Sequence, residues 1–230
     1  MRLWFSLLAV AGVAVAILAL AARGAPARGK NMSVGNPACG TDPGHVGQGT
    51  PLVARGKNQL AIFAQGCFWG VEERLRKVPG VVATAVGYTG GHAANPSYED
   101  VCSGSTGHAE AVLVEFDPAQ VTYAKLLAFS WESHDPTSGN AQGPDHGTQY
   151  RSGIFTFGPE QQREALASRD EVQKRLRDPI TTEIAPAARF WIAESYHQQW
   201  DERHGALSCP LPHRARRLQD RGTVNPAASQ

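Results

Sequence analysis

Cys67 is the residue from which chemistry can first be built. It stands between an apolar, strand-like run, Leu60-Ala61-Ile62-Phe63-Ala64, and a run in which Phe68, Val71, Leu75 and Val78 recur at helical spacing until Pro79-Gly80. The charges of that second run are ordered as a helix dipole favours, with Glu72 and Glu73 early and Arg74, Arg76 and Lys77 late. A cysteine at such a helix start meets unpaired backbone N–H groups and the positive end of the dipole, which favour its thiolate. The thiolate is the nucleophilic form, so Gly66-Cys67-Phe68-Trp69-Gly70 reads as a nucleophile site. The competing reading is a cysteine used as a small buried hydrophobe. Gly66 and Gly70 let backbone approach a ligand closely. Two adjacent aromatics at a helix start cannot both face one core, so one of Phe68 and Trp69 is left to line a cavity.

An acid is available at Glu110. The segment Ala111 to Phe116 has the clearest strand character in the chain, and residues two apart on a strand share a face. Glu110 therefore lies with Val112, Val114 and Phe116, while Ala111, Leu113 and Glu115 take the other side. The face carrying Glu110 is the more apolar, which puts a carboxyl at the edge of the core. Desolvation there favours the protonated form, able to donate a proton near neutral pH. A solvated strand-end glutamate is the alternative, and alternation alone does not choose between them.

Elements that could hold these two residues follow along the chain. Val81 to Tyr88 reads as a strand rich in small and β-branched residues. Thr122 to Ser133 reads as a helix capped by Thr122, with Tyr123, Leu126, Leu127 and Trp131 on one face. Ile154 to Phe157 is a short strand, and Pro159 opens a helix reaching about Arg177 before Asp178-Pro179 stops it. This alternation predicts an α+β two-layer sandwich. The 230 residues, with 42% hydrophobic content, suffice for one core. A net charge of +1 with no basic block in the body gives no support to nucleic-acid binding. Leu3 to Ala22 carries no charge, and only Ser6 and Gly12 interrupt its apolar character. That length could span a bilayer, but Ala19-Leu20-Ala21 offers a small-x-small cleavage site. A cleaved signal is favoured over a retained anchor, and an exported, periplasmic or envelope-associated protein is expected either way. The chain thus divides into a signal or anchor at 1–22, a linker at 23–51, a catalytic domain at 52–205 and a tail at 206–230.

The cysteine motif resembles the signature of the A-type peptide methionine sulfoxide reductases. Gly87-Tyr88-Thr89-Gly90-Gly91, Gly107-His108-Ala109-Glu110, Asp145-His146-Gly147-Thr148-Gln149-Tyr150-Arg151-Ser152 and Tyr196-His197-Gln198-Gln199 follow in the family's order. The resemblance runs from about Leu60 to Cys209. It implies a ferredoxin-like variant of the sandwich with a long C-terminal coil. It also implies reduction of methionine S-sulfoxide, free or in oxidised proteins and peptides, by thiol chemistry with no cofactor. On this resemblance Cys67 attacks the sulfoxide sulfur, Glu110 is the acid, and the Tyr88 and Tyr150 hydroxyls bond the sulfoxide oxygen. Taken without the motifs, those two tyrosines fit half-buried core positions better. Phe68 and Trp69 form the methyl pocket, Gly66 and His108 complete the substrate site, and Asp145 shapes and polarises it. Cys67 is left as a sulfenic acid, which Cys209, nine residues after Trp200, resolves as a disulfide for an external dithiol such as thioredoxin to reduce. Cys209-Pro210-Leu211-Pro212 runs into basic residues from His213 to Arg217, where members of the family often carry a glycine-rich stretch.

The remaining signals are weaker. With Cys39 and Cys102 the chain has four cysteines, which allow three pairings that the sequence does not distinguish. The Val101-Cys102-Ser103-Gly104 setting resembles reductases that lack such a bridge, and that resemblance implies a free buried thiol at Cys102. Among eight histidines there is no closely spaced His-His pair of the zinc-finger kind, and there is no Cys-x-x-Cys, so no metal is expected. His108, His134, His146 and His197 read as polar scaffolding. Two other classes compete. A papain-like hydrolase could use Cys67 with His197, but its Cys-Gly-Ser-Cys-Trp pattern is missing. A non-catalytic envelope protein could bind methionine-rich partners through Phe68 and Trp69. A monomer is expected.

Overall fold

Three apolar runs become the centre of a sheet: Gln59–Gln65 (β1), Val81–Thr89 (β2) and Ala109–Phe116 (β3). The computed structural model describes residues 54–205. The apolar segment 3–22, the linker with Cys39 and the tail with Cys209 lie outside them. β1 is followed by helix α1 (Phe68–Arg76), β2 by the short helix α2 (Tyr98–Cys102), and β3 by α3 (Tyr123–Ser133). A small hairpin, β4 (Ala141–Gln142) and β5 (Asp145–His146), leads through a 3-10 turn at Thr148–Tyr150 into β6 (Ser152–Thr156). Then come α4 (Gly158–Gln173), β7 (Glu183–Pro186), β8 (Trp191–Ile192) and α5 (Trp200–His204).

The main sheet has the order β7-β6-β1-β3-β2-β8. Its inner four strands are antiparallel neighbours, β6-β1-β3-β2, with α1 joining β1 to β2 and α3 lying between β3 and β6. That is the split βαβ arrangement of ferredoxin-like folds, as expected. β7 adds in parallel beside β6, and β8 antiparallel beside β2.

Alternation sorts the strand residues into two faces. Phe63, Val86, Val112, Val114 and Phe116 pack with Val71 and Leu75 of α1 and with Leu126, Leu127 and Trp131 of α3. On the other face Leu60, Ile62, Ala111, Leu113 and Phe155 are covered by Phe190, which the long irregular C-terminal segment brings across the sheet. Every residue of β3 is consequently buried, including Glu110 and Glu115.

The helices hold close to their sequence signals. Thr122 accepts the Lys125 N–H and caps α3. Pro159 sits in the first turn of α4, as its fixed φ and missing N–H favour. α4 ends at Gln173 instead of near Arg177, because the Gln173 carboxamide turns back on the chain, accepting the Ile180 N–H and donating to the Asp178 carbonyl. The charges of α1 behave differently from expectation. Glu72 is not a solvated dipole charge: it is fully buried, where it accepts from Thr84 and from both the backbone and side-chain amides of Gln199. The polar face of α1 is covered by the C-terminal segment, which converts a surface pattern into a buried clasp.

Candidate active site

β1 ends at Gln65 and α1 begins at Phe68, so Cys67 occupies the position immediately before the helix. Gly66 permits this tight turn. Its φ is +89°, a region open to glycine, and a Cβ there would fall 2.6 Å from the Gln142 side chain of the β4–β5 hairpin. The role seen for Gly66 is therefore backbone conformation and close packing. Behind the turn, Gln65 donates to Ser130 and accepts from Ser133, and His134 bridges the Ser130 carbonyl and the Ser152 hydroxyl. Burial pushes His134 down to about 4, so it serves this network as a neutral ring.

Glu110 meets the start of the same helix from below. Its Oε2 accepts the Phe68 N–H at 3.0 Å, satisfying a donor that has no partner within α1. The carboxyl is only 2% exposed. Burial raises it, the Phe68 N–H opposes that, and the negative charge of Asp145 raises it again, to about 8. Of the two sequence readings of Glu110, the core-edge acid is the one the structure places here, next in space to the residue after Cys67.

Two tyrosines share this environment, and one of them differs from expectation. Tyr150, half-buried on its 3-10 turn, lies within electrostatic reach of Glu110, Asp145 and Cys67; burial first, then those charges, hold its phenol protonated. Tyr88 faces Glu110 across the β2–β3 ladder, but it is wholly buried and its hydroxyl donates to Glu194 Oε2 at 2.9 Å. Tyr88 also feels the Glu110 charge, but with its hydroxyl bonded to Glu194, the phenol left to join Tyr150 beside Glu110 is that of Tyr98, at the first position of α2. Burial, the Cys102 side chain, Glu110 and Tyr150 all keep it protonated. The sequence reading missed Tyr98; the signal that could have marked it is the pair Ser97 and Asp100, which forms a reciprocal capping box around it.

The aromatic wall is built from both ends of the chain. Phe68 is buried and Trp69 half-buried, so Trp69 is the one left more open. Trp69 Nε1 donates to His197 Nδ1 at 3.0 Å, and its ring stacks on Trp200 with centroids 4.4 Å apart. The His197 ring lies 5.1 Å from Phe68 and 4.5 Å from Tyr98. His197 thus works as scaffold, its Nδ1 committed to Trp69, which leaves it ill-suited to be the base of a hydrolase. His108 is not brought to this cluster by its polar atoms: its Nδ1 accepts the Gly91 N–H and its Nε2 meets the Ala93 carbonyl at 2.8 Å. It fixes the loop that leads to α2. Cys102, expected to be buried, is exposed at the last position of α2, a helix in which only Val101 is fully buried. Among the described residues no three His, Cys, Asp or Glu side chains converge as metal ligands.

Geometry and comparison agree. Residues 59–223 match the family model described as peptide methionine sulfoxide reductase. The chain is 48% identical over 210 residues to the peptide methionine sulfoxide reductase MsrA of Rhodospirillum centenum, covering 85% of this chain and 93% of that protein. It is 56% identical over 153 residues to the MsrA of Methanoculleus marisnigri, covering 66% of this chain and 93% of that one. Among solved structures, methionine sulfoxide reductase A of Corynebacterium diphtheriae aligns with a TM-score of 0.64 at 37% identity, over 79% of this chain and 92% of that one. A cysteine just before a helix, a buried carboxyl raised by desolvation and bonded to the next N–H, and these likenesses lead to one conclusion: the chain belongs to the peptide methionine sulfoxide reductase family, A type, and is an oxidoreductase.

Proposed function

We propose that the protein reduces methionine S-sulfoxide to methionine through Cys67, with Glu110 as the proton donor. The observation that carries this reading is the Glu110 carboxyl, held near 8 and bonded to the N–H that directly follows Cys67. A sulfoxide oxygen departs from sulfur only when its charge is neutralised, and a carboxyl still protonated at neutral pH can do that. Tyr98 and Tyr150, in place of Tyr88, supply hydroxyls to the same oxygen, while Phe68 and Trp69 receive the methyl group. Cys67 attacks the sulfoxide sulfur; the oxygen passes to the cysteine, which is oxidised by two electrons to a sulfenic acid as the sulfoxide becomes a thioether. The Cys209 thiol then attacks the sulfenic sulfur, releasing water and leaving a Cys67–Cys209 disulfide. A thioredoxin-like dithiol returns two electrons and regenerates both thiols. Free methionine sulfoxide and oxidised proteins or peptides are both within this chemistry, with no prosthetic cofactor and a monomeric enzyme. The uncharged run from Leu3 to Ala22 supports work outside the cytoplasm.

The test is turnover of the S and R epimers of dabsyl-methionine sulfoxide by the wild type, Cys67→Ser and Cys209→Ser, with dithiothreitol and separately with thioredoxin. Expected are S-epimer turnover by the wild type, none by Cys67→Ser, and a Cys209→Ser enzyme that works with dithiothreitol but stalls with thioredoxin. A folded wild type inert toward both epimers would end the reductase reading. Full thioredoxin-driven activity in Cys209→Ser would end the role of Cys209.

A further inference from the structure

We propose that Glu194 is a positioning residue of this site, setting the place of Tyr98 directly and that of Trp69 through His197. The inference rests on the reductase reading above. Glu194 belongs to the irregular segment between β8 and α5, yet its carboxylate gathers Tyr88 and Tyr98, 106 and 96 residues away along the chain, together with its near neighbour His197. Oε1 accepts the Tyr98 backbone N–H at 2.9 Å, and Oε2 accepts the Tyr88 hydroxyl at 2.9 Å. Oε2 also lies 3.9 Å from His197 Nε2.

The Tyr98 bond matters because α2 is only five residues long. A helix that short has little stability of its own, so external tethers decide where its first residue stands. The capping box satisfies the N–H groups of Ser97 and Asp100. The Tyr98 N–H remains, as one of the helix-start donors, and Glu194 is the group that takes it. Through that bond the carboxylate fixes the backbone that carries the Tyr98 hydroxyl, which lies within electrostatic reach of Glu110 and Tyr150.

The second arm runs through His197. Since His197 Nδ1 accepts from Trp69, a neutral ring must carry its proton on Nε2, the nitrogen that faces Glu194. Burial holds His197 below its ordinary value and so keeps the ring neutral, against the pull of Glu194. His197 Nε2 is buried and makes no hydrogen bond, so the carboxylate 3.9 Å away acts on the Nε2–H by charge alone and favours the ring orientation on which the Trp69 bond depends. Partial burial raises the Glu194 carboxyl, but the N–H groups and the Tyr88 hydroxyl outweigh it and hold it below the usual glutamate value. It is therefore ionised at neutral pH, with both oxygens available as acceptors.

A mere structural clip would lower stability without acting through Tyr98, and a double-mutant cycle separates the two. kcat and KM for the S-sulfoxide, with dithiothreitol, are measured in the wild type, Glu194→Ala, Glu194→Gln, Tyr98→Phe and the Glu194→Ala/Tyr98→Phe pair, alongside thermal unfolding. Misplacing a reacting group by about an ångström costs on the order of 100-fold, so Glu194→Ala is expected to lower kcat roughly 10- to 100-fold with little change in KM. Glu194→Gln, whose carbonyl can still accept the Tyr98 N–H, recovers most of that loss. The double variant falls no more than about twofold below Tyr98→Phe alone, because both changes remove the same contribution. If Glu194→Ala does not fold, Glu194→Asp, too short to reach both donors, takes its place in the cycle. Unchanged kcat in the Glu194 variants, losses that multiply in the double variant, or a silent Tyr98→Phe would each overturn the proposal. An inert wild type would instead sink the reductase reading on which it rests.

Discussion

With Glu110 as the proposed acid, its proton sets the pH behaviour of the site. Its carboxyl titrates near 8 in the folded protein and near 4.5 in the unfolded chain, so between those values the folded state holds the extra proton. Stability from this group is fully present below about 4.5 and falls as pH rises through about 8. Activity that depends on the protonated acid falls over the same upper limb. Glu110→Gln keeps an acceptor for the Phe68 N–H but removes the acid, and general-acid catalysis contributes about 10²–10⁴-fold. The variant should lose kcat on that order, lose the alkaline limb near 8, and unfold at higher denaturant than the wild type at pH 9. Wild-type turnover flat from pH 7 to 9.5 would contradict the assignment. For Glu110, strand alternation puts the residue with Val112, Val114 and Phe116 but leaves it even with a solvated strand end, and the His108-Ala109-Glu110 match tips the reading toward the acid. The tyrosine assignment was not legible in this way. Tyr88 sits in a motif, yet its hydroxyl is taken by Glu194, 106 residues along the chain, and no local pattern records such a partner.

Among the elements, α1 carries the most load: its start holds Cys67 and its polar face receives the C-terminal segment. Arg76 forms an ion pair with Glu202 of α5 at 2.7 Å, and Glu72 takes the Gln199 backbone N–H at 2.7 Å. Gln199 adopts a left-handed backbone with φ 49°, an unfavourable setting for a residue with a side chain, and the two bonds to Glu72 hold it there. Burial raises Glu72 above its ordinary value, against its hydrogen bonds and Arg76. Glu72→Ala would leave the buried Gln199 N–H unsatisfied, and such a loss costs about 1–3 kcal/mol. Urea denaturation should show that decrease with an unchanged slope, and Trp200, stacked on Trp69 just beyond Gln199, should change its fluorescence. A midpoint equal to wild type would mean the clasp contributes nothing. The helix itself was legible from the spacing of Phe68, Val71 and Leu75. Its charged face misled, since Glu72 and Arg76 look like solvent groups until the segment that buries them is in place.

For the whole molecule, the question is where a thiol cycle of this kind draws its electrons. The ferredoxin-like core and its covering C-terminal segment were legible from alternating elements and ordered motifs, whereas α2, β4, β5 and β8 are too short to leave a periodic signal. The N-terminal run carries different information. If the uncharged stretch with Ala19-Leu20-Ala21 acts as the proposed export signal, the cysteines work outside the cytoplasm, where the glutathione and thioredoxin pools do not directly keep them reduced. A Cys67–Cys209 disulfide formed there must be reduced by a dithiol protein on the same side of the membrane, fed with electrons from within. Export therefore makes a specific demand that a cytoplasmic reductase does not. Fractionation of expressing cells, with mass measurement of the product, decides it. Cleavage after Ala21 should give a periplasmic species roughly 2 kDa lighter than the 24.6 kDa chain. A full-length species in the membrane fraction would mean the segment is kept as an anchor, with the enzyme still outside. A full-length species in the cytosol would remove the export reading and let the ordinary cytoplasmic thioredoxin serve as reductant.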